Sequence, residues 1–254
     1  MNLTSQQIRF FRDTGYLKLP RVASDDEVSE MLSVIDSHFE RRIEPYRTRT
    51  GLAGDPVTLY GTVQRAPIFL RVIQSPPMAG ALRSLLGPNV ELKLNRHNHA
   101  RINPPGHNKF YLHRDILQWS RGQLTVIIYL EDTNIENGCT HVVPTTHFLP
   151  SAGVPENGIT CMDDYEIYHD LREQAVPVPM RAGGALILDS FVFHTPGTNV
   201  TAGSRKSLCF AFHSSDELSS RSDNDDSQIV LGERIYLGNN RLPADAYLKY
   251  AEKK

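Results

Sequence analysis

The chain has 254 residues, of which 40% are hydrophobic and 22% are charged, and this balance is typical of an ordinary globular domain. Its formal net charge of -2 gives no general attraction to nucleic acid or to an anionic membrane, so we expect a small-molecule partner. The three cysteines stand far apart and outside any C-x-x-C spacing, which favours neither a disulfide framework nor a thiolate zinc site. We therefore expect a cytoplasmic protein without a signal peptide or a membrane span.

Helical patterns dominate the first 88 residues. Thr4 with Gln7, and Ser24 with Glu27, have the spacing of capping boxes, and each pair precedes apolar residues at helical spacing. The predicted elements are a first helix ended by Gly15, a strand over 16–19, a second helix reaching Phe39, and short helices over 68–73 and 78–86. Residues 41–64 fit neither pattern and are predicted to form a long loop, either a lid over a site or a solvated surface excursion.

Alternating and β-branched runs begin near Val90 and predict a β-rich second part. The candidate strands cover residues 91–95, 97–103, 124–130, 141–143, 174–178, 185–188 and 208–213. Many short strands separated by turn residues indicate a sandwich or a barrel, of which the jelly roll is one form. The segment 214–228 is dense in Ser, Asp and Asn and is predicted to be a mobile loop before the C-terminal tail.

A His-x-Asp pair lies just before the strongest predicted strand. His113 and Asp115 would project from one face of an extended segment, while Arg114 would point away. One imidazole and one carboxylate leave a divalent metal short of ligands, and we expect His194, which follows the predicted strand over 185–188, to complete the site. Two histidines and one carboxylate with open positions are typical of non-haem Fe(II) oxygenases.

Arg205 stands eleven residues past His194, at the start of the next predicted strand. A planar guanidinium can form a bidentate pair with a carboxylate, so iron beside this arginine suggests 2-oxoglutarate as co-substrate. Two alternatives stay open: a zinc hydrolase that uses the same His and Asp ligands, and a non-catalytic β-sandwich binding module. Serine hydrolases and nucleotide enzymes are disfavoured because their glycine-rich and nucleophile motifs are absent.

Ordinary structural roles are expected for the other histidines near the proposed site, and substrate contacts are considered for a few further residues. His97 and His99 would share a face of a strand as a His-x-His pair, but no carboxylate stands near them in sequence. Hydrogen-bonded or surface roles are expected for His97, His99, His107, His141 and His147. Substrate contacts or pocket walls are considered for Asn95, Arg101, Gln118 and Trp119.

Four ordered segments carry a family resemblance. They are residues 3–20 (LTSQQIRFFRDTGYLKLP), 113–119 (HRDILQW), 137–147 (NGCTHVVPTTH), and 194–199 (HTPGTN) followed by Arg205. Together they resemble the phytanoyl-CoA dioxygenase family of Fe(II)/2-oxoglutarate-dependent oxygenases over most of the chain. Thr145-Thr146 and Thr195-Pro196 replace the Gly-Ser pairs usual in the third and fourth segments.

The resemblance implies a mostly β fold with flanking helices, arranged as one domain over 1–254. Its parts would be a mainly helical region over 1–88, a double-stranded β-helix (jelly-roll, cupin-like) core over 89–213, and a polar loop and tail over 214–254. Fe(II) would be held by His113, Asp115 and His194, and 2-oxoglutarate by Arg205. With dioxygen, the reaction would most simply hydroxylate an unactivated C–H bond of a small molecule and release succinate and CO2. The carboxylate of Asp115 argues for oxygenation over halogenation.

Overall fold

A computed structural model describes residues 2–48, 57–95, 97–105, 112–115, 122–149, 166–216 and 227–233. Over these residues the helices are α1 (Ser5–Thr14), α2 (Asp25–Glu40), α3 (Thr62–Arg65), α4 (Pro67–Ile73) and α5 (Pro76–Leu86). The strands are β1 (Tyr16–Leu19), β2 (Tyr46–Thr48), β3 (Val57–Tyr60), β4 (Val90–Lys93), β5 (His99–Asn103), β6 (Leu124–Tyr129), β7 (Thr140–Val143), β8 (Val176–Val178), β9 (Ala185–Asp189), β10 (Phe193–Pro196), β11 (Arg205–Ser214) and β12 (Ser227–Leu231). Short 3-10 helices cover Thr146–Phe148 and Glu166–Gln174.

Both predicted capping boxes form. The Gln7 N–H donates to Thr4 Oγ1 at 3.2 Å, and the Thr4 N–H donates to the Gln7 side chain at 2.9 Å. Ser24 and Glu27 make the same reciprocal pair at the start of α2. Gly15 ends α1 with a φ of 81°, a left-handed conformation that glycine adopts without steric cost. No helix among the described residues combines the length and the apolar character that a bilayer crossing requires.

The strands form two antiparallel sheets. The large sheet has the order β1-β9-β6-β11-β5-β3-β2, and β4 joins it by pairing with both β11 and β12. The small sheet has the order β10-β7-β8. These sheets, with helices concentrated before β4, confirm the mostly β class with N-terminal helices.

The large sheet lies between the helices and the small sheet. Side chains alternate between the faces of a strand, and β9 has both faces buried. Ile187 joins the apolar core that contains the helices, with Met31 of α2 and Phe69 of α4. Leu186 joins a second cluster, which contains Val142 of the small sheet. The helices therefore cover one face of the large sheet, and its other face is turned to the small sheet.

The prediction of one long loop over 41–64 was wrong at both ends. β2 and β3 pair with each other, and β3 also pairs with β5, so they extend the edge of the large sheet; residues 49–56 lie outside the described part of the chain. β2 and β3 have only three and four residues and lie among glycines, prolines and arginines, so their short alternation was not recognised in the sequence. Likewise, the ends of the predicted loop 214–228 belong to β11 and β12, while residues 217–226 are not described.

Two strand predictions also need correction. β5 begins at His99, because His97 occupies a turn with a φ of 48° instead of extending the strand. β10 was not predicted, although it contains His194. Its four residues carry no apolar and polar alternation, and the strand is identified only by its pairing with β7.

Gly138 lies where the turn before β7 meets the segment after β10. Its φ is 78°, and a Cβ atom at this position would lie 2.3 Å from the carbonyl oxygen of Gly197. We expect Gly138→Ala to lower the free energy of unfolding by about 2 to 4 kcal/mol in urea denaturation, because backbone strain adds to this overlap. Gly87→Ala is the control, since Gly87 has a φ of 97° with nothing within 4 Å. Equal losses in the two variants would contradict the prediction.

Candidate metal centre

The structure brings His113, Asp115 and His194 together. His113 and His194 form an isolated antiparallel bridge in which the N–H of each donates to the carbonyl of the other at 3.0 Å. The N–H of Asp115 donates to the carbonyl of Ser190 at 3.1 Å, which fixes the backbone two residues further on. The three side chains each offer a ligand atom, and all these atoms lie within 4.8 Å of one another. Backbone pairing therefore holds one carboxylate beside two imidazoles.

The side chains face each other across a small gap. The Nε2 atom of His113 lies 3.7 Å from Asp115 Oδ1, and Nε2 of His194 lies 3.6 Å from Asp115 Oδ2. The ring of His194 donates from Nδ1 to the carbonyl of Val192 at 3.1 Å. Because Nδ1 donates to this carbonyl, Nε2 is the ring nitrogen that is left to serve as a metal ligand.

Asp115 is buried, with 5% of its surface exposed. Burial by itself raises the pKa of this carboxyl, but the imidazoles of His97, His194 and His113 outweigh it and hold the pKa well below its usual range. Among the described residues, Oδ2 of Asp115 is buried without a hydrogen-bond partner. An ionised carboxylate with an unsatisfied oxygen between two imidazoles fits a divalent metal. Iron and zinc both accept this donor set.

The three side chains open onto a cleft between the two sheets. Side chains alternate between the two faces of β5 and β11. One set, which includes Arg101 and Ser207, points into the cleft, and the intervening Ala100 and Leu208 pack in the apolar core that contains the helices. The lining residues are His97, His99, Arg101, Asn103, His113, Asp115, Ile127, Thr140, His194, Pro196, Arg205, Ser207 and Cys209. Asp115 is the one acidic side chain among them, so the described lining favours anionic ligands.

Arg205 is the first residue of β11 and lines the same cleft. It is buried, with 3% of its surface exposed, and burial lowers the pKa of its guanidinium. An arginine stays cationic despite such a shift, because its ordinary pKa lies so far above neutrality. Its Nε atom has no hydrogen-bond partner in the described part of the chain. A buried guanidinium at the cleft wall suits a carboxylate ligand.

Tyr129 lies near Arg205. Burial raises the pKa of this phenol to about 12, so it is neutral, and it is hydrogen-bonded to Thr140 Oγ1 at 2.7 Å.

Arg114 points away from Asp115, as predicted. Its Nη2 atom donates to the carbonyl oxygens of Thr146 at 2.7 Å and Leu149 at 2.9 Å, and its guanidinium lies 4.4 Å from the ring centroid of Phe193. Phe193 directly precedes His194 in β10. Arg114 therefore ties the His-x-Asp segment to the turn after β7 and to the strand that carries the second histidine.

We expect Arg114→Met to lower the free energy of unfolding by about 2 to 4 kcal/mol, because two carbonyls lose a charged donor. Metal affinity should fall about 10- to 100-fold, the usual cost of removing a group that orients a ligand. Urea denaturation and metal titration would measure the two effects. Arg9→Met, on the exposed face of α1, is the control and should change neither quantity. Unchanged metal affinity in Arg114→Met would show that this arginine stabilises the fold without orienting the site.

His97 was expected to have an ordinary role, but it contacts the carboxylate. Its Nε2 atom lies 3.3 Å from Asp115 Oδ1, and its Nδ1 atom lies 3.4 Å from Cys209 Sγ. Burial lowers the pKa of His97, yet Asp115 and Cys209 outweigh it, and the pKa lies well above its ordinary value. Burial, together with His97 and Arg101, lowers the pKa of His99 to about 3, so this ring is neutral. The His-x-His spacing was the one signal for this pair, and nothing in the sequence linked it to Asp115 or Cys209.

The other histidines lie outside the cleft or outside the described residues. His147 contacts the C-terminal end of α1, with Nε2 at 2.9 Å from the carbonyl of Arg12, and thereby orders its turn. His141 is hydrogen-bonded through Nδ1 to the carbonyl of Cys139. Arg101 lines the cleft, as considered from the sequence. His107, Gln118 and Trp119 fall outside the described part of the chain.

Comparisons with known proteins agree with this geometry. Residues 11–207 match the sequence profile of the family described as Phytanoyl-CoA dioxygenase (PhyH). The chain is 25% identical to an ectoine dioxygenase of Bordetella parapertussis over 243 residues, covering 84% of this chain and 76% of that protein. It is 26% identical to a methylphosphonate hydroxylase of Gimesia maris over 229 residues, covering 83% and 81%.

A solved structure shares the fold. It is the epimerase SnoN in complex with Fe3+, alpha ketoglutarate and nogalamycin RO, which superposes with a TM-score of 0.69 at 20% identity and covers 90% of this chain and 96% of that one. This likeness confirms the predicted cupin-like architecture. The family match spans more than half of the sequence and includes the His-x-Asp segment and Arg205. The chain belongs to the phytanoyl-CoA dioxygenase family and is a non-haem iron, 2-oxoglutarate-dependent dioxygenase.

Proposed function

We propose that this dioxygenase hydroxylates an unactivated C–H bond of a polar small molecule. In this proposal His113, Asp115 and His194 hold Fe(II), and Arg205 holds the distal carboxylate of 2-oxoglutarate. The observation that carries it is the convergence of two imidazoles and one ionised carboxylate at a cleft that also contains a buried arginine. One domain over 1–254 and a reducing cytosol remain our expectations for the chain.

The residues of the chain would position the reactants and limit the access of water. The bridge between His113 and His194 keeps two imidazoles on one side of the metal position, which leaves the cleft side for other ligands. Bound iron would supply the activation of dioxygen, with 2-oxoglutarate consumed to succinate and CO2. Arg205 would orient the co-substrate, because its guanidinium is held at the cleft wall by the pairing of β11 with β5. Asp115 would remain ionised throughout.

The lining of the cleft supports a polar substrate over a long acyl chain. Arg101, Asn103 and Ser207 direct polar groups into it, whereas Ile127 is the one aliphatic side chain among the described lining residues apart from Pro196. Burying an acyl chain against such groups would leave them without hydrogen bonds, which is costly. Relatives named for ectoine and methylphosphonate agree with a polar substrate.

An anaerobic absorbance titration tests whether the protein binds Fe(II) and 2-oxoglutarate together. Fe(II) is added to the apo-protein and 2-oxoglutarate follows, and we expect a saturable visible charge-transfer band from the chelated 2-oxo acid. Candidate polar substrates, including ectoine and methylphosphonate, are then screened for substrate-dependent succinate formation under air. Absence of the band in the wild-type protein would contradict the proposed ligand set.

A further inference from the structure

A second group of metal-ligand side chains lies beside the first. His97 precedes β5, His99 is the first residue of β5, and Cys209 pairs directly with His99 across the β5–β11 ladder. Each offers one ligand atom, and the three atoms lie within 4.8 Å of one another. All three line the cleft, and Cys209 is a free, partly exposed thiol. The proposed iron site uses none of them as a ligand.

The spacing of two donors already suits a tetrahedral metal. Nδ1 of His97 lies 3.4 Å from Sγ of Cys209. Zinc with nitrogen ligands at about 2.0 Å and sulfur at about 2.3 Å places neighbouring ligand atoms roughly 3.5 Å apart. One thiolate and two imidazoles form a softer donor set than the proposed iron ligands, and soft sulfur ligands favour zinc over magnesium or calcium.

The second nitrogen of His97 supports the same assignment. A histidine that binds a metal through one ring nitrogen usually donates its other N–H to a carboxylate. Nε2 of His97 lies 3.3 Å from Asp115 Oδ1, so a metal that displaces the Nδ1 proton to solvent would leave Nε2–H to donate to Asp115. One neutral imidazole would then connect the two sites.

The backbone presents His97 in a fixed, uncommon conformation. Its φ of 48° lies in the left-handed region, which is unfavourable for a residue other than glycine. The next residue, Asn98, is buried and secures this turn to the start of α3: its carbonyl accepts from Gly61 N at 2.8 Å, and its Oδ1 accepts from Val63 N at 3.1 Å. The surrounding structure therefore determines the position of His97 before any ligand binds.

We propose that His97, His99 and Cys209 form a second metal site, which takes a thiophilic divalent cation such as Zn2+ and leaves its fourth position open to the cleft. This site goes beyond the proposed oxygenase function and does not depend on it. A cation there would occupy the wall of the cleft next to the iron ligands and connect to Asp115 through His97.

Cobalt(II) is the probe, because a thiolate ligand gives Co2+ a near-ultraviolet charge-transfer band that histidine and carboxylate ligands do not give. We expect the wild-type protein to bind two Co2+ ions per chain and to develop this band, and excess Zn2+ to remove it. Cys209→Ala should lose the band and bind one ion. Cys139→Ala is the matched control, since this cysteine is buried and is not one of the residues that line the cleft, and it should keep both. Absence of the band in the wild-type protein, or its persistence in Cys209→Ala, would overturn the proposal.

Two further variants separate this proposal from the iron site. His99→Ala should weaken the cobalt affinity of the second site at least about tenfold, because one of three ligands is lost; unchanged affinity would overturn the assignment of His99. His113→Ala should keep the thiolate band while losing the iron and 2-oxoglutarate chromophore. Cys209→Ala should keep that chromophore. Loss of the thiolate band in His113→Ala would contradict a separate second metal site, whether or not the proposed oxygenase function is correct.

Discussion

Replacing Asp115 by alanine is expected to abolish turnover while leaving the fold largely intact. The substitution removes the carboxylate that lies between His113 and His194, and this is the one anionic side chain among the three proposed iron ligands. Fe(II) affinity should fall by more than the roughly 10- to 100-fold lost when a group that merely orients a ligand is removed. The measurements are substrate-dependent succinate formation and Fe(II) titration.

The fold should survive because Asp115 lies outside the apolar clusters and its backbone bond to Ser190 is retained. Circular dichroism and the urea midpoint verify this point. Asp26→Ala, an exposed carboxylate near the start of α2, is the control and should leave turnover unchanged. His113→Ala should reproduce the loss seen for Asp115→Ala. Turnover retained in both site variants would exclude this triad as the metal centre.

Features that depend on neighbouring residues in the sequence were predictable. The capping boxes at Thr4 and Ser24 need partners only three residues away, and both form. The spacing of His113 and Asp115 places both at one point even though the segment belongs to no regular strand, because isolated backbone bonds hold it extended. Local patterns therefore identified the starts of α1 and α2 and the pair formed by His113 and Asp115.

His194 and Arg205 were proposed from their positions beside predicted strands and lie at the cleft with His113, but the contacts of His97 and Arg114 with distant residues were not predictable. His97 contacts Asp115 because the turn before β5 leaves the strand and is secured by Asn98 to α3, an arrangement that no spacing within the sequence indicates. Its contact with Cys209 arises from the pairing of β5 with β11, more than a hundred residues apart. The orientation of Arg114 followed from alternation, but its bonds to Thr146 and Leu149 required the tertiary structure.

Arg205→Ala is expected chiefly to raise the 2-oxoglutarate concentration needed for half-maximal rate, by at least about 30-fold. Removing one partner of a buried, hydrogen-bonded charge pair costs about 2 to 5 kcal/mol, and each 1.4 kcal/mol is a factor of ten in affinity. Arg205 is almost fully buried at the cleft wall, so solvent would screen little of its interaction with a carboxylate. Succinate formation at varied 2-oxoglutarate, with the primary substrate saturating, measures the effect.

Arg205→Lys distinguishes the shape of the cation from its charge. Lysine keeps the charge but loses the planar pair of donors, so its 2-oxoglutarate requirement should lie between those of the wild type and Arg205→Ala. The thermal midpoints of both variants must be compared, because truncating a buried side chain also removes packing. If the 2-oxoglutarate requirement is unchanged and only the requirement for the primary substrate rises, Arg205 binds the substrate. The distal carboxylate of 2-oxoglutarate would then need another cation, and Arg101 is the other arginine among the described residues of the cleft.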